Sequence, residues 1–344
     1  MKKKFTIIAL VYVLILSACG NSGETEAGST DEVDESAETV QIRLGHVTQK
    51  THPYHLAAEH FAEQVEEQSG GSLKIELYPA RQLGGDVEML EMLQNGSLEA
   101  GFISSSVFSG STPVMDGLQL PFLFDSYEVF GKAIQSETAG KMLNRLEEIN
   151  LKGLGINESG MRHMGSNVSP IQSLEDMDGL SIRVAESPLM QSIFTTLGAD
   201  PTSMAYGEIY SALQTDVIDA HEANLETYVS ENLHEVTEYI TLTKHFPWPN
   251  VNVFNLDFYQ SLSDENQQIL DKAGEETQSW ILKKLVEIDE EALQELDNKG
   301  VHVEELKDIT PFREEVEPVY EEYAKKDPLI EEFINTVEEI KREK

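Results

Sequence analysis

Two of the seven arginines in the chain occupy positions where a guanidinium could bind an anion. Arg183 lies in an apolar segment, residues 180–184, with the pattern of a strand. Because neighbours on a strand point to opposite faces, Ile182 and Val184 predict that Arg183 points away from the core. A helix is predicted to begin close by, at Pro188, and helix N-termini beyond strand ends favour anions. Arg183 is therefore a candidate for binding a carboxylate, with a structural salt bridge as the alternative.

Two other segments present side chains suited to a ligand. Arg162, in the segment NESGMR at residues 157–162, is a second candidate with weaker local support. Trp248 lies between two prolines, which favour a rigid, non-helical turn that presents its large flat side chain. Further aromatic residues occur at positions that could line a ligand-binding cleft, although core packing would account for most of them: Phe122, Phe124, Tyr206 and Phe246.

Several other chemistries lack the residues they need. His52, His55 and His60 are spaced by three and five, not as the i, i+4 pair of a helical zinc site, so no metal is predicted. The serines at 104–106 have no G-x-S-x-G sequence around them, and Gly84-Gly85 is too short to cradle a phosphate. No cofactor is therefore predicted, and an enzyme acting on a small acidic substrate stays an alternative without a positive signal.

The charge of the chain excludes some partners. It has 25 basic and 62 acidic residues, a formal net charge of −37. A surface this acidic repels nucleic acids and anionic lipid headgroups. The acidic residues are spread along helix faces, which is typical of a solvated surface rather than of a cation site.

Strand and helix patterns alternate along the chain, which predicts an α/β fold with largely parallel sheets. Strands are predicted at 40–47, 73–77, 98–104 and 180–184, and helices at about 53–68, 86–94 and from Pro188 to Gly198. Residues 264–298 read as one helix or two abutting helices. A single helix of this length would be ~50 Å long and could run beneath two lobes.

An internal similarity supports two lobes of related design. Residues 88–102 (EMLEMLQNGSLEAGF) align without a gap to residues 208–222 (EIYSALQTDVIDAHE). Each copy reads as a helix, a tight turn and a strand. Chance similarity between two amphipathic helices is the alternative.

The N-terminus has the pattern of an export signal. Three lysines at 2–4 precede an apolar run at 5–16, which predicts a signal peptide over residues 1–18. The following sequence, LSACG, resembles a bacterial lipobox, and this resemblance implies cleavage before Cys19 and its diacylation. An ordinary signal peptide with a chance cysteine is the alternative. Residues 19–39 are acidic and almost free of apolar residues, which predicts a disordered, lipidated linker.

The chain resembles the DctP-type solute-binding proteins of tripartite ATP-independent periplasmic (TRAP) transporters. The resemblance rests on GHV at 45–47, LPFLF at 120–124, SLEDMDGLSIRV at 173–184, and longer blocks at 57–102 and 197–222. It implies a periplasmic-binding-protein-like fold of two hinge-linked lobes, with strands exchanged between them and a long helix spanning both. We expect lobe I at 40–159 and 249–288, and lobe II at 160–248 and 289–344.

The resemblance also implies a set of ligand-binding residues and no catalysis. Arg183 corresponds to the family's carboxylate-binding arginine, and Arg162 to a second, less uniform one. Asp86, Ser104, Tyr206 and the strand end Glu222, Ala223 and Asn224 correspond to ligand-lining positions. The chain departs from the family at Ala223 and Asn224, where bulkier residues and proline are common, so the family does not identify the ligand.

These observations predict an extracytoplasmic receptor for a small carboxylate-bearing organic acid. We expect a monomer that is tethered by a lipid on Cys19 to the outer face of the cell membrane, in a Gram-positive host. The expected partner is the membrane permease of a sodium-coupled TRAP transporter. A binding protein linked to a sensor instead of a permease is the remaining alternative.

Overall fold

The computed structural model describes residues 39–343. The predicted signal peptide and residues 19–38 of the predicted linker, including Cys19, lie outside the described residues. None of the helices in the described range is both long and apolar enough to cross a lipid bilayer.

The described residues form strands and helices that alternate through most of the chain. The strands are β1 (Val40–Gly45), β2 (Leu73–Tyr78), β3 (Ala100–Ser104), β4 (Leu151–Asn157), β5 (Arg162–Ser166), β6 (Ser181–Val184), β7 (Asp200–Ser203), β8 (Ala220–Asn224), β9 (Tyr239–Leu242), β10 (Asn250–Asn255) and β11 (His302–Glu305). The α-helices are α1 (Pro53–Gln68), α2 (Asp86–Gln94), α3 (Tyr127–Ile134), α4 (Glu137–Arg145), α5 (Pro188–Thr196), α6 (Ile209–Gln214), α7 (Leu225–Ser230), α8 (Leu256–Ser261), α9 (Asp264–Leu282), α10 (Leu285–Asn298), α11 (Thr310–Glu315), α12 (Glu317–Ala324) and α13 (Pro328–Arg342). Short 3-10 helices occupy Ser105–Gly110, Pro113–Gln119 and Tyr206–Glu208, among others.

The strands form two sheets with the same internal design. The first has the order β2-β1-β3-β10-β4, and the second has the order β7-β6-β8-β5-β9-β11. In each sheet the first three strands are parallel, and the fourth is antiparallel to both of its neighbours. The two copies of the predicted internal repeat are α2–β3 and α6–β8, which occupy corresponding places. The α/β fold with two lobes is thereby confirmed, and we name the lobes after the first and second sheets.

The chain crosses between the sheets, and each sheet therefore receives a strand from the other part of the sequence. After β4 completes the edge of the first sheet, β5 enters the second sheet. After β9, the strand β10 returns to the first sheet, where it pairs with both β3 and β4. Glu158, in the first crossing, accepts hydrogen bonds from the backbone of Gly160 and of Trp248, which lies in the second crossing. The two crossing segments are therefore tied to each other.

The predicted long helix is interrupted. Residues 264–298 form α9 and α10, which are separated by a turn at Lys283 and Lys284. Helix α9 packs against α1 and β4 of the first lobe, and α10 packs against α7 of the second. The expectation of one helix spanning both lobes is corrected to two abutting helices, each of which follows the packing surface of its own lobe.

The C-terminal helix packs away from the second sheet. Helix α13 contacts α3 and α4, which lie between β3 and β4 in the sequence. Its buried residues Ile330, Phe333 and Val337 join the core there. This packing differs from the expected assignment of residues 289–344 to lobe II. The boundaries at 159, 248 and 288 stay a prediction.

Capping residues and glycines in the sequence mark the ends of several helices. Helices α1 and α2 begin and end where predicted, and Gly70 and Gly96, just past their ends, have positive φ values of 59° and 78°. Ser263 caps α9 by accepting a hydrogen bond from the Asn266 amide. Ser187 is the N-cap residue of α5, but its side chain makes no capping bond and contacts the Ser109 hydroxyl of the first lobe instead.

Helix α9 approaches the first sheet closely at a glycine. A Cβ atom built on Gly274 would lie 2.6 Å from the carbonyl oxygen of Leu154 in β4. Gly155 next to it is also small, and its own Cβ would lie 3.3 Å from the Gly274 carbonyl oxygen. The helix can therefore lie against the strand only where both residues lack a side chain.

We predict that Gly274→Ala destabilises the protein by about 1–3 kcal/mol, because the added methyl group must displace helix backbone from strand backbone. The matched control is Gly140→Ala in α4, where a Cβ would meet no atom within 4 Å. That substitution should stabilise the protein by about 0.5–1 kcal/mol, through helix propensity alone. Urea unfolding measures both, and similar effects of the two substitutions would contradict the close-packing argument.

Candidate ligand-binding site

A cavity lies where the carboxyl ends of β3, β6 and β8 meet the start of β5. Ligands of α/β proteins bind at this edge because side chains and helix N-termini converge there. Its lining includes seven of the predicted site residues: Asp86, Ser104, Arg162, Arg183, Tyr206, Glu222 and Trp248. The other lining residues are Ser106, Val107, Gln119, Ala185, Glu186, Met190 and Phe246.

Arg183 is held by backbone and has no ion-pair partner among the described residues. Its Nε and Nη2 atoms donate to the carbonyl oxygen of Met204, at 3.0 and 2.7 Å. Burial lowers the pKa of Arg183 to about 10, so the guanidinium is still charged at neutral pH. Its Nη1 atom makes no hydrogen bond in the described part of the chain. The alternative of a structural salt bridge is therefore wrong, and a positive charge remains for a ligand.

Arg162, by contrast, is neutralised within the protein. It forms a buried ion pair with Glu222, and it also donates to the backbone oxygen of Glu222. Burial alone would raise the pKa of Glu222, but Arg162 and His245 hold it below its usual range. The remaining nitrogen, Nη1 of Arg162, is buried without a hydrogen-bond partner. Arg162 thus offers a donor to the cavity but no net charge.

Trp248 forms the wall between the two lobes. Its ring lies under the Arg162 guanidinium, with 4.4 Å from Cζ to the ring centroid, which is cation–π geometry. The ring is 5.3 Å from that of Tyr206 and 4.9 Å from that of Tyr54, centroid to centroid. Its Nε1 atom donates to Ser104 Oγ at 3.0 Å. Trp248 therefore lines the cavity at the crossing between the lobes.

Asp86 is the acidic group of the first lobe that faces this cavity. It is the first residue of α2, and its Oδ1 atom accepts a hydrogen bond from the Ser104 amide at 3.1 Å. Burial raises the pKa of Asp86 to about 7, against the opposing effects of that amide and of Arg183. The cavity therefore has a carboxyl group from one lobe and a guanidinium from the other.

Sequence reasoning missed several polar lining residues. Gln119 ends a 3-10 helix, and its Oε1 atom accepts from the hydroxyls of Ser105 and Ser106, at 2.8 Å each. No periodicity marks a residue in such a segment. Glu186, in contrast, lies two residues after the end of β6. The rule that ligands bind beyond strand ends could therefore have identified it.

Ala223 and Asn224 do not line the cavity. Because Glu222 faces it, the alternation of side chains along β8 turns Ala223 into the core of the second lobe. Asn224 lies at the crossing between the lobes, where it donates to the carbonyl oxygen of Ser159 and accepts from the Thr227 hydroxyl. Asn224 is therefore placed to support the crossing segment rather than to contact a ligand.

The three histidines considered for a metal site have separate partners. His52 Nε2 lies 3.2 Å from Thr227 Oγ1, and His55 pairs with His46 and Glu59. His60 stacks on Trp280, with ring centroids 4.3 Å apart. Among residues 39–343, no group of three or more histidine, cysteine, aspartate or glutamate residues could hold a metal ion.

The two lobes contact each other around the cavity. Arg81 of the first lobe forms an ion pair with Glu231 of the second, with bonds of 3.0 and 3.1 Å. Its guanidinium also lies 5.5 Å from the centroid of the Tyr206 ring. Such contacts across the cleft exist only while the lobes are together, so they favour the closed arrangement.

A second, wider groove lies beside α10 and is a weaker candidate. It is wider and more open than the cavity at the strand ends. Its lining has six acidic and three basic residues. Size would favour this groove for an apolar ligand, but an organic anion needs positive charge in a desolvated position, which only the smaller cavity provides.

Comparison with known proteins identifies the family. The family model described as "Bacterial extracellular solute-binding protein, family 7", named DctP, matches residues 44–327. The chain belongs to this family. The match covers most of the described residues, including every predicted ligand-lining residue, and the family is extracytoplasmic as its name states.

Three similar proteins illustrate what family 7 members bind. The C4-dicarboxylate-binding protein DctB of Bacillus subtilis is 27% identical over 331 residues, which cover 94% of this chain and 95% of that protein. The sugar acid binding protein DctPAm of Advenella mimigardefordensis, solved with galactonate, is 28% identical with a TM-score of 0.84, covering 88% of this chain and 99% of that one. A TRAP periplasmic solute-binding protein of Bradyrhizobium, solved with galacturonate, is 29% identical with a TM-score of 0.84, covering 87% and 100%. All three are named as binding proteins, and none is named as an enzyme.

We predict that Glu222→Gln lowers the free energy of unfolding by about 3–5 kcal/mol, because it leaves the buried Arg162 without its counter-charge. The control is Glu321→Gln, which removes the partner of Lys325 in a pair whose side chains are 79% and 77% exposed. That change should cost less than about 0.5 kcal/mol. Urea unfolding measures both variants, and equal losses would show that the buried pair has no special role.

Proposed function

We propose that this protein is the solute-binding receptor of a TRAP-type uptake transporter and that it captures a small organic acid by its carboxylate. The observation that carries the proposal is the buried Arg183 guanidinium, which is charged, lines the cavity and forms no ion pair within residues 39–343. Membership of family 7 and the sugar acids held by two solved relatives support it. A charge-assisted bond to a carboxylate complements a group of this kind.

The position of the polar groups suits capture by closure of the lobes. Arg183, Arg162 and Tyr206 belong to the second lobe, whereas Asp86 and Ser104 belong to the first. A ligand bound between them contacts both lobes only when they are together, so ligand binding stabilises the closed form. The closed form would then present one continuous surface to the permease.

We predict that Arg183→Ala weakens the affinity for the cognate acid by about tenfold to a thousandfold, because the desolvated carboxylate loses its charged partner. The affinity of Arg183→Lys should lie between those of the unaltered protein and Arg183→Ala, since lysine keeps the charge but lacks the planar guanidinium that can donate two parallel hydrogen bonds. Isothermal titration calorimetry measures the dissociation constants.

Arg342→Ala is the control for that experiment, because Arg342 is exposed at the end of α13 and takes no part in the cavity. Unchanged affinity in Arg183→Ala, with all proteins folded, would contradict the assignment. The same titrations address the enzyme alternative: a receptor returns the acid chemically unchanged after prolonged incubation, whereas an enzyme converts it at catalytic protein concentrations.

We further propose that Cys19 carries the lipid that holds the receptor at the membrane, as its lipobox-like sequence indicates. Cys19→Ser should release the protein into the culture fluid without altering ligand affinity. Ser22→Ala, three residues away, should leave the protein with the cells. Fractionation followed by immunoblotting measures the distribution, and a Cys19→Ser protein that stays with the membrane would contradict lipid attachment at this residue.

A further inference from the structure

The charges that line the cavity limit the kind of acid it can hold. Arg162 and Arg183 are the basic residues among the lining side chains. Because Glu222 neutralises Arg162, the pair contributes no net charge. Arg183 remains as the lining guanidinium without an ion-pair partner among the described residues, so the cavity offers one such cation to a ligand carboxylate. The Nη1 atoms of both arginines are without a partner in the described residues, so both can donate to that one carboxylate.

The opposite side of the cavity is unfavourable for a second carboxylate. Asp86 there uses Oδ1 to accept from Ser104, and its other carboxylate oxygen makes no hydrogen bond among the described residues. Glu186, which follows β6 in the second lobe, is a further acidic group close enough to Asp86 to act on it, and both Glu88 and Glu186 raise the pKa of Asp86. A second ligand carboxylate would be desolvated beside these acidic groups, and the described lining residues include no second unpaired cation to balance it.

The same groups suit hydroxyls. A carboxylate oxygen without a partner is an acceptor for a hydroxyl hydrogen. Ser104, Ser106 and Gln119 supply uncharged hydroxyl and amide groups next to Asp86. The amide nitrogen of Gln119 makes no hydrogen bond in the described part of the chain, whereas its oxygen is occupied by two serines. These uncharged groups can therefore bind several hydroxyls of a ligand.

We propose that the solute is a hydroxylated monocarboxylate, of the sugar-acid class, and that Asp86 selects it by binding a hydroxyl and excluding a second carboxylate. The inference rests on the proposed function and narrows it, because the receptor role alone would equally allow dicarboxylates. It assigns Asp86 to specificity, and Arg183 to the carboxylate that every candidate ligand shares.

The test uses pairs of ligands that differ by one group. Galactonate and galactarate, or gluconate and glucarate, share their hydroxyls, but the second member has a carboxylate where the first has a terminal CH₂OH. Calorimetry on the unaltered protein should give the monocarboxylate of the best-binding pair a dissociation constant at least about tenfold lower than that of its dicarboxylate partner. The reason is that like charges repel each other in a desolvated site. Succinate should also bind at least about tenfold more weakly than that monocarboxylate.

The variant Asp86→Asn removes the negative charge and keeps the shape. Because the pKa of Asp86 is raised to about 7, all titrations are made at pH 8, where its carboxyl group is mostly ionised. It should reduce the preference within a pair to less than about threefold, because an amide can donate to the second carboxylate. Glu91→Gln is the control, since Glu91 is exposed on the same helix and the change in charge is identical.

The outcomes separate the two proposals. A dicarboxylate that binds as tightly as its monocarboxylate partner, or more tightly, overturns the selectivity and leaves the receptor function intact. An unchanged preference in a folded Asp86→Asn protein overturns the role of Asp86. The absence of binding across a broad panel of organic acids would instead contradict the proposed function itself.

Discussion

The buried ion pair between Arg162 and Glu222 is the constraint on which the rest of the binding site depends. It joins the start of β5 to the end of β8 where neither residue reaches solvent. Charges in such a place are costly unless they are paired, as here, or hydrogen-bonded, as Arg183 is to the Met204 carbonyl oxygen. The pair also holds the Arg162 guanidinium over Trp248, so the wall between the lobes rests on it. One electrostatic contact thus links the ends of two neighbouring strands, supports the aromatic wall and neutralises Arg162.

Because Glu222 neutralises Arg162, Arg183 is the guanidinium that can attract an anion. If both guanidinium groups were free, the cavity would suit a dianion, and if both were paired, it would have no attraction for an acid. Arg183 is held instead by the carbonyl oxygen of Met204, which satisfies two of its donors without cancelling its charge. The backbone therefore orients the cation while leaving its charge for the ligand.

The exchange of strands between the sheets ties together the two lobes that line the site. Each sheet contains a strand from beyond the crossing, β10 in the first and β11 in the second, and the chain passes between the sheets in short segments. Glu158 ties two of these segments, and the break between α9 and α10 lies at the third passage. Arg162, Arg183 and Glu222 stand on strands of the second sheet, and Asp86 and Ser104 stand on an α-helix and a strand of the first lobe.

The sequence by itself determined the elements and the direction of the key side chain. Hydrophobic periodicity and the glycines at 70 and 96 located α1 and α2, and the alternation around Ile182 and Val184 predicted the orientation of Arg183, because these signals are local. Only the tertiary structure decided which charges are paired. Residues 162 and 222 are far apart in sequence, Gln119 reaches the cavity from an irregular segment, and Ala223 turns to the core. Periodicity reports the face on which a side chain lies, but not the partner that meets it there, since that depends on how distant elements pack.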